Sequence, residues 1–312
     1  MGDPFYEEIV DALFAVHGGR PGFRAAHAKG TFCRGSFTAT AEAANLSRAA
    51  HLQGEPVEVT ARFSNGSGNP EARDADRRDG RGLAVKFHLP DGEPTDIVSV
   101  SIPVFFVGNP QDFRDFLEAR KPDPKTGEID MEKLGAFVAE HPETQAALEK
   151  ILPALTPPRS FATCAYNGLH AFALVDADGK RSWVRYRWEP GAGEQTLTED
   201  EIESADRDYL QDEIRERLAR EPVRHMLTAK LAAEGDPLDD ATQVWPDERE
   251  VVTLGQLEVT ELIEGAEDDG PVVFDPINVT DGIELSGDPL IEARSRAYSV
   301  SVERRIAARA GT

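Results

Sequence analysis

The chain has 312 residues, enough for one large domain or two modest ones with a core able to enclose a cofactor of several hundred cubic ångströms. A formal net charge of −23 excludes nucleic acid and anionic membranes as natural partners, and no apolar run is long enough to cross a bilayer. Only Cys33 and Cys164 are available for sulfur chemistry, and Met1–Glu8 carries acids where a secretory leader would carry Lys or Arg, so a reducing cytoplasm is the expected compartment.

In chain order, β-rich or alternating runs predict strands over Val57–Phe63, Leu83–Leu89, Ile97–Phe106, Phe161–Asn167, His170–Val175, Ser182–Trp188 and Val251–Leu262. Ala177-Asp178-Gly179-Lys180 is a hairpin signal. Apolar residues three or four apart predict helices over Gln111–Arg120, Met131–Glu140, Glu143–Leu155, Ala205–Ala219, Pro222–Ala233 and Pro289–Ala310. Asn109-Pro110 and Asp288-Pro289 each set a capping side chain before a proline suited to a first helical turn. Successive strands without intervening helices favour antiparallel pairing, so the expected class is α+β around an antiparallel sheet or barrel. The Gly-, Asp- and Arg-rich stretch from Ser64 to Gly82 reads as an exposed loop, and Glu264–Pro271 as an acidic connection.

Phosphate loops, dinucleotide fingerprints, His-Glu-x-x-His and Gly-x-Ser-x-Gly are absent, and the seven histidines have no zinc-ligand spacing. His27 follows Arg24 by three residues and precedes Lys29-Gly30; taken alone it reads equally as a solvated or core histidine. In the last helix Arg294 and Tyr298 are four apart and Arg305 lies seven beyond, all on one face. A cation one turn from a phenol favours the phenolate, a hard ligand for ferric iron, although a basic amphipathic face gives the same spacing. Arg62-Phe63-Ser64 and the runs 79–87 and 96–106 look like barrel strands.

In order along the chain, Arg24-x-x-His27-Ala28-Lys29-Gly30, Arg62-Phe63-Ser64, Arg81-Gly82-Leu83-Ala84-Val85-Lys86-Phe87, Pro103-Val104-Phe105-Phe106, Phe274-Asp275-Pro276 and Arg294-x-x-x-Tyr298 resemble the catalase family. The resemblance implies a closed antiparallel β-barrel with flanking helices in one haem-binding domain over 1–312. Its barrel core would span about 20–190 and 250–262, with helical segments at about 111–155, 205–233 and 288–310. It implies haem b as cofactor, His27 as distal acid–base, Ser64 as its partner, Phe113 as a haem-facing aromatic and Tyr298 as the axial iron ligand. It further implies that Arg24, Arg62 and Arg305 hold the propionates, which a guanidinium matches in charge and shape, and that Arg294 polarises the proximal tyrosine.

One departure bears on activity: Val100 stands where catalases carry a distal asparagine, in the Asp-x-x-x-Asn register that begins here at Asp96. That asparagine helps hold peroxide for oxidation of a second hydrogen peroxide, so the resemblance implies a minimal catalase-related peroxidase with weak or no dismutation. The expected partners are an organic or hydrogen peroxide and a small organic electron donor, with a homodimer expected from the commonness of that assembly. Hydroperoxide rearrangement, as in allene oxide synthases, and haem carriage without turnover are the alternatives.

Overall fold

The structure, a computed structural model, describes residues 3–90 and 92–311; Met1 and Gly2, part of the acidic start read above, lie outside the described residues. Helix α1 (Pro4–His17) starts where the Asp3 carboxylate accepts from Phe5 N and Pro4 takes the first turn. Strand β1 (Gly30–Ala39) follows, then α2 (Ala41–Leu46), β2 (Val57–Asn65), β3 (Arg81–His88) and β4 (Pro94–Val100). Three helices come next, α3 (Pro110–Arg120), α4 (Met131–Glu140) and α5 (Pro142–Ala154). Strands β5 (Tyr166–Asn167), β6 (Phe172–Val175) and β7 (Arg181–Pro190) lead to α6 (Glu199–Ser204) and α7 (Tyr209–Leu218). The chain ends with β8 (Val223–Leu231), β9 (Val251–Leu262), β10 (Ile283–Leu285) and α8 (Pro289–Ala310).

All pairings between these strands are antiparallel, and β7-β5-β4-β3-β2-β1-β9-β8 closes on itself through a β8–β7 ladder, giving an eight-stranded barrel. Closure removes the exposed edges that an open sheet must protect. Strands β6 and β10 continue outward from β7. Alternate residues of the long strands fill the interior: Phe37, Val59, Phe63, Val85, Phe87, Trp188 and Leu257 are fully enclosed, with Phe37 edge-on to both Phe87 and Trp188. The ring is thinnest at β5, where Val100 pairs with Asn167 alone, and the Asn167 side chain donates to the Ser101 and Ile102 carbonyls while accepting from Arg187.

Helices α1, α3 and α8 pack beside the barrel, with Ile9, Val10 and Ala12 of α1 meeting Leu117 of α3 and Ala297 and Val300 of α8. Ladder and core explain where the sequence reading fails. The helix expected over Pro222–Ala233 is strand β8, so helix in the 205–233 segment stops at Leu218. Val223, Leu227 and Leu231 are four apart, an even spacing that suits either period; burial of His225 and Ala229 between β7 and β9 decides for the strand. Strand β1 and helix α1 have no counterpart in the sequence reading, and the run expected over Ile97–Phe106 ends as a strand at Val100.

The 64–82 loop is also not simply exposed, because Asp74, Asp79 and Arg81 are buried in it. Asp74 accepts from Asn65 Nδ2 and Leu210 N, both at 2.8 Å, and pairs with Lys29 Nζ at 2.6 Å, which rivets the loop to the segment before β1 and to α7. Cys33 and Cys164 are buried free thiols, each pushed up to about 12 by burial.

Candidate functional site

Between the barrel wall and helices α1, α3, α4, α5 and α8 lies a cavity of about 700 Å³. His27, Ser64, Arg24, Arg62, Phe113, Arg294, Tyr298 and Arg305, scattered over the sequence, all line it. Most of the remaining wall is apolar, with Leu83, Val98, Phe105, Phe106, Leu134 and Ile151 among its side chains. Phe113 belongs to an aromatic group, its ring centroid 5.5 Å from that of Phe105 and 5.7 Å from that of Phe106.

On the barrel side, His27 has φ 55°, a left-handed conformation unusual for a residue with a Cβ. The backbone is held there by His27 N on Gly66 O at 2.8 Å and Ala28 N on Ser67 O at 2.9 Å, while Lys29 reaches the Asp74 and Asp208 carboxylates. Such strain costs about 1–3 kcal/mol and persists only where neighbours over-determine it. Nδ1 of His27 lies 3.0 Å from Ser64 Oγ. Gly82 on β3 makes this approach possible: a Cβ there would sit 2.8 Å from the imidazole and from Ser64 Oγ. Burial, then the charge of Arg62 and further that of Arg294, His17 and Arg24, pushes His27 down to about 3, so the ring is neutral. Val100 pairs with Gly82 and lines the same wall, leaving no side-chain polar group at that position.

Across the cavity, Arg294 donates to Tyr298 Oη through Nη2 at 2.9 Å and Nε at 3.3 Å. Arg294 Nη1 donates to His170 Nε2 at 2.9 Å, so His170 Nδ1 carries the hydrogen that meets Asp288 Oδ2 at 2.7 Å. Burial depresses the His170 pKa against the pull of Asp288, which keeps the ring in that neutral form. The Asp288 carboxylate also caps α8 on Leu290 N at 2.9 Å. The cap was legible in Asp288-Pro289; nothing in the sequence pointed to His170.

Cations gather at a third edge. Arg62 is buried with Nε unpartnered, its guanidinium 5.2 Å from the Phe32 ring centre, and its approach requires Gly30, where a Cβ would lie 2.8 Å from it. Arg24 lies 5.6 Å over the same ring. Arg305 Nε is likewise buried and unpartnered. Sequence reasoning missed Glu267, which holds both Arg24 and Arg305. It also missed Asp79 in the wall, which burial pushes up to about 7 and whose Oδ2 accepts no hydrogen bond and faces Arg81 Nη1 at 3.9 Å.

A family model described as Catalase matches residues 9–311. A "Catalase-related peroxidase" of Mycolicibacterium paratuberculosis is 41% identical over 300 residues, 96% of this chain and 94% of the relative. One of Synechococcus elongatus is 35% identical over 301 residues, 96% of this chain and 88% of the relative. A fungal catalase structure superposes with a TM-score of 0.82 at 23% identity, covering 95% of this chain and 62% of that one, which establishes likeness of fold.

Proposed function

This chain belongs to the catalase family, and from that premise we propose that it is a haem-dependent peroxidase that reduces organic or hydrogen peroxides with electrons from a small organic donor. The observation that carries the reading is one cavity with His27 and Ser64 on one wall, Tyr298 and Arg294 on another, and buried guanidinium nitrogens without partners at a third. These residues fit haem b. The apolar walls suit a macrocycle, and the unpartnered Nε atoms of Arg62 and Arg305 are donors for its carboxylates. Tyr298 would hold the iron through its phenol oxygen, to which Arg294 donates two hydrogen bonds.

When bound, haem supplies the redox centre for cleavage of the O–O bond and for electron uptake from the donor. The protein moves the proton. In the tautomer whose Nδ1–H donates to Ser64 Oγ, neutral His27 offers Nε2 as a base that takes the proton from the peroxide and returns it to the departing oxygen. Val100 offers no hydrogen bond to orient a second peroxide molecule, which supports peroxidase turnover over dismutation. The compartment in this reading is the cytoplasm, consistent with two buried free thiols.

General acid–base assistance is worth about 10²–10⁴-fold. His27→Ala is expected to lower donor-dependent peroxide reduction by that order while the haem absorption band persists. Equal rates for the variant and the natural chain would remove His27 from the mechanism; a haem-loaded natural chain with no donor-dependent turnover would favour a carrier.

A further inference from the structure

The arginine edge of the cavity already contains a carboxylate. Arg24 meets Glu267 through two nitrogens, Nη1 to Oε2 at 2.9 Å and Nη2 to Oε1 at 2.7 Å, and its Nη2 also donates to Val272 O at 2.9 Å. Arg305 Nη1 reaches Oε1 at 3.1 Å, and Val272 N donates to the same oxygen at 2.9 Å. Arg309 holds the Glu267 backbone carbonyl. Glu267 lies on the far side of these arginines, lining a surface cleft with Phe32 and Leu262. It therefore backs the arginines without filling the cavity.

Three guanidiniums, Arg24, Arg62 and Arg305, would repel one another in this enclosed place, and Arg62 and Arg305 are buried more deeply than free arginines tolerate. Each of the two has its pKa lowered, by burial first and then by Arg24, while Glu267 acts in the opposite sense on both. One carboxylate against three guanidiniums leaves a local charge of about +2, the complement of a dicarboxylate cofactor.

We propose that Glu267 is a resident counter-ion of the cofactor's arginine cradle, holding Arg24 and Arg305 together before the cofactor arrives and leaving a charge that its two carboxylates neutralise. The proposal rests on the cavity being the haem site. Glu267 is a positioning residue that acts through Arg24 and Arg305 and does not touch the reacting atoms. In the empty protein it supplies the only carboxylate seen on these arginines among the described residues; in the loaded protein the cofactor carboxylates share that task.

The test compares the Tm of the natural chain and Glu267→Gln, each without cofactor, loaded with haem, and loaded with haem dimethyl ester. The glutamine variant is expected to lose several degrees when empty and less when loaded with haem. The ester, having no carboxylates, should leave the deficit in place. By linkage the variant then holds haem more tightly, by about tenfold, as read from the equilibrium partition of haem between it and apomyoglobin. Glu267→Asp, which keeps the charge, should recover most of the stability of the empty protein and covers the case in which the glutamine variant folds only with haem present. Equal losses in the empty and haem-loaded states would reduce Glu267 to a loop anchor and overturn the proposal, as would equal rescue by the ester. Failure of the natural chain to take up haem at all would remove the parent reading, and this inference with it.

Discussion

The imidazole of His27 is set by close packing on its Nδ1 side. Its left-handed backbone, the Ser64 hydroxyl at 3.0 Å and the bare Cα of Gly82 fit together so closely that no Cβ can be added. Gly82→Ala should therefore displace the imidazole or the hydroxyl, and misplacement by about 1 Å can cost roughly 10²-fold in rate. The measurement is donor-dependent peroxide consumption with haem content checked by absorbance; full activity in Gly82→Ala would show that the contact imposes no constraint. At this scale the grouping was legible through the family resemblance, because His27, Tyr298 and the arginines picked out by its motifs line one cavity, whereas their spacing alone fitted an ordinary core or basic helix face. Glu267 and His170 were not, since Glu267 meets Arg24 and Arg305 243 and 38 residues away and His170 meets Arg294 124 residues away, and an acid in an acidic loop, or one histidine among seven, carries no local signal.

Between elements, one buried ion pair and a relay of hydrogen bonds link the barrel to α8. Lys86 on β3 faces Asp96 directly across on β4 at 2.6 Å, and Asp96 also accepts from Asp275 N and Asn278 Nδ2. Asp275 in turn accepts from Ser295 Oγ on α8 at 2.6 Å. The motif Phe274-Asp275-Pro276 is thus the joint by which the barrel positions the helix that bears Tyr298. Lys86→Met would leave the Asp96 carboxylate, whose side chain is 1% exposed, without its cation, a loss of about 3–5 kcal/mol for a buried pair broken on one side. The urea midpoint should fall accordingly; an unmoved midpoint would mean that the two remaining donors, Asp275 N and Asn278 Nδ2, suffice. Helices with clean caps, such as α3 and α8, were readable from sequence because a cap is local. Strand β8 was not, because only its neighbours β7 and β9 distinguish its even spacing from a helix.

For the whole molecule, burial of neutral histidines sets the response to acid. His17, His51 and His225 are each pushed down to about 4 and His27 to about 3, chiefly by burial. An unfolded chain protonates these rings near 6.5, so as pH falls from there towards 4 it takes up protons that the fold refuses. Stability is then lost at about 1.4 kcal/mol per pH unit for each histidine. Asp79 acts the other way: its carboxyl, raised to about 7, contributes stability that is fully present below the ordinary carboxylate range near 3.8 and disappears as pH rises through 7. Burial raises Asp96 as well, but four histidines outweigh these two carboxyls, so the Tm of the cofactor-free protein should drop steeply between pH 6 and about 4.5. A Tm that stays level over that range, measured by circular dichroism, would contradict the burial of neutral rings.

Helix α8 carries Tyr298 and, two turns on, Arg305. At about 1.5 Å of rise per residue, seven residues set the two side chains roughly 10 Å apart along the axis. A rigid rod with two marks is a gauge, and a flat ligand engages both only if its centre and its charged edge are separated by a matching span. Because the spacing is written into the pitch of one helix, a ligand that met both side chains would find that span fixed without any moving part.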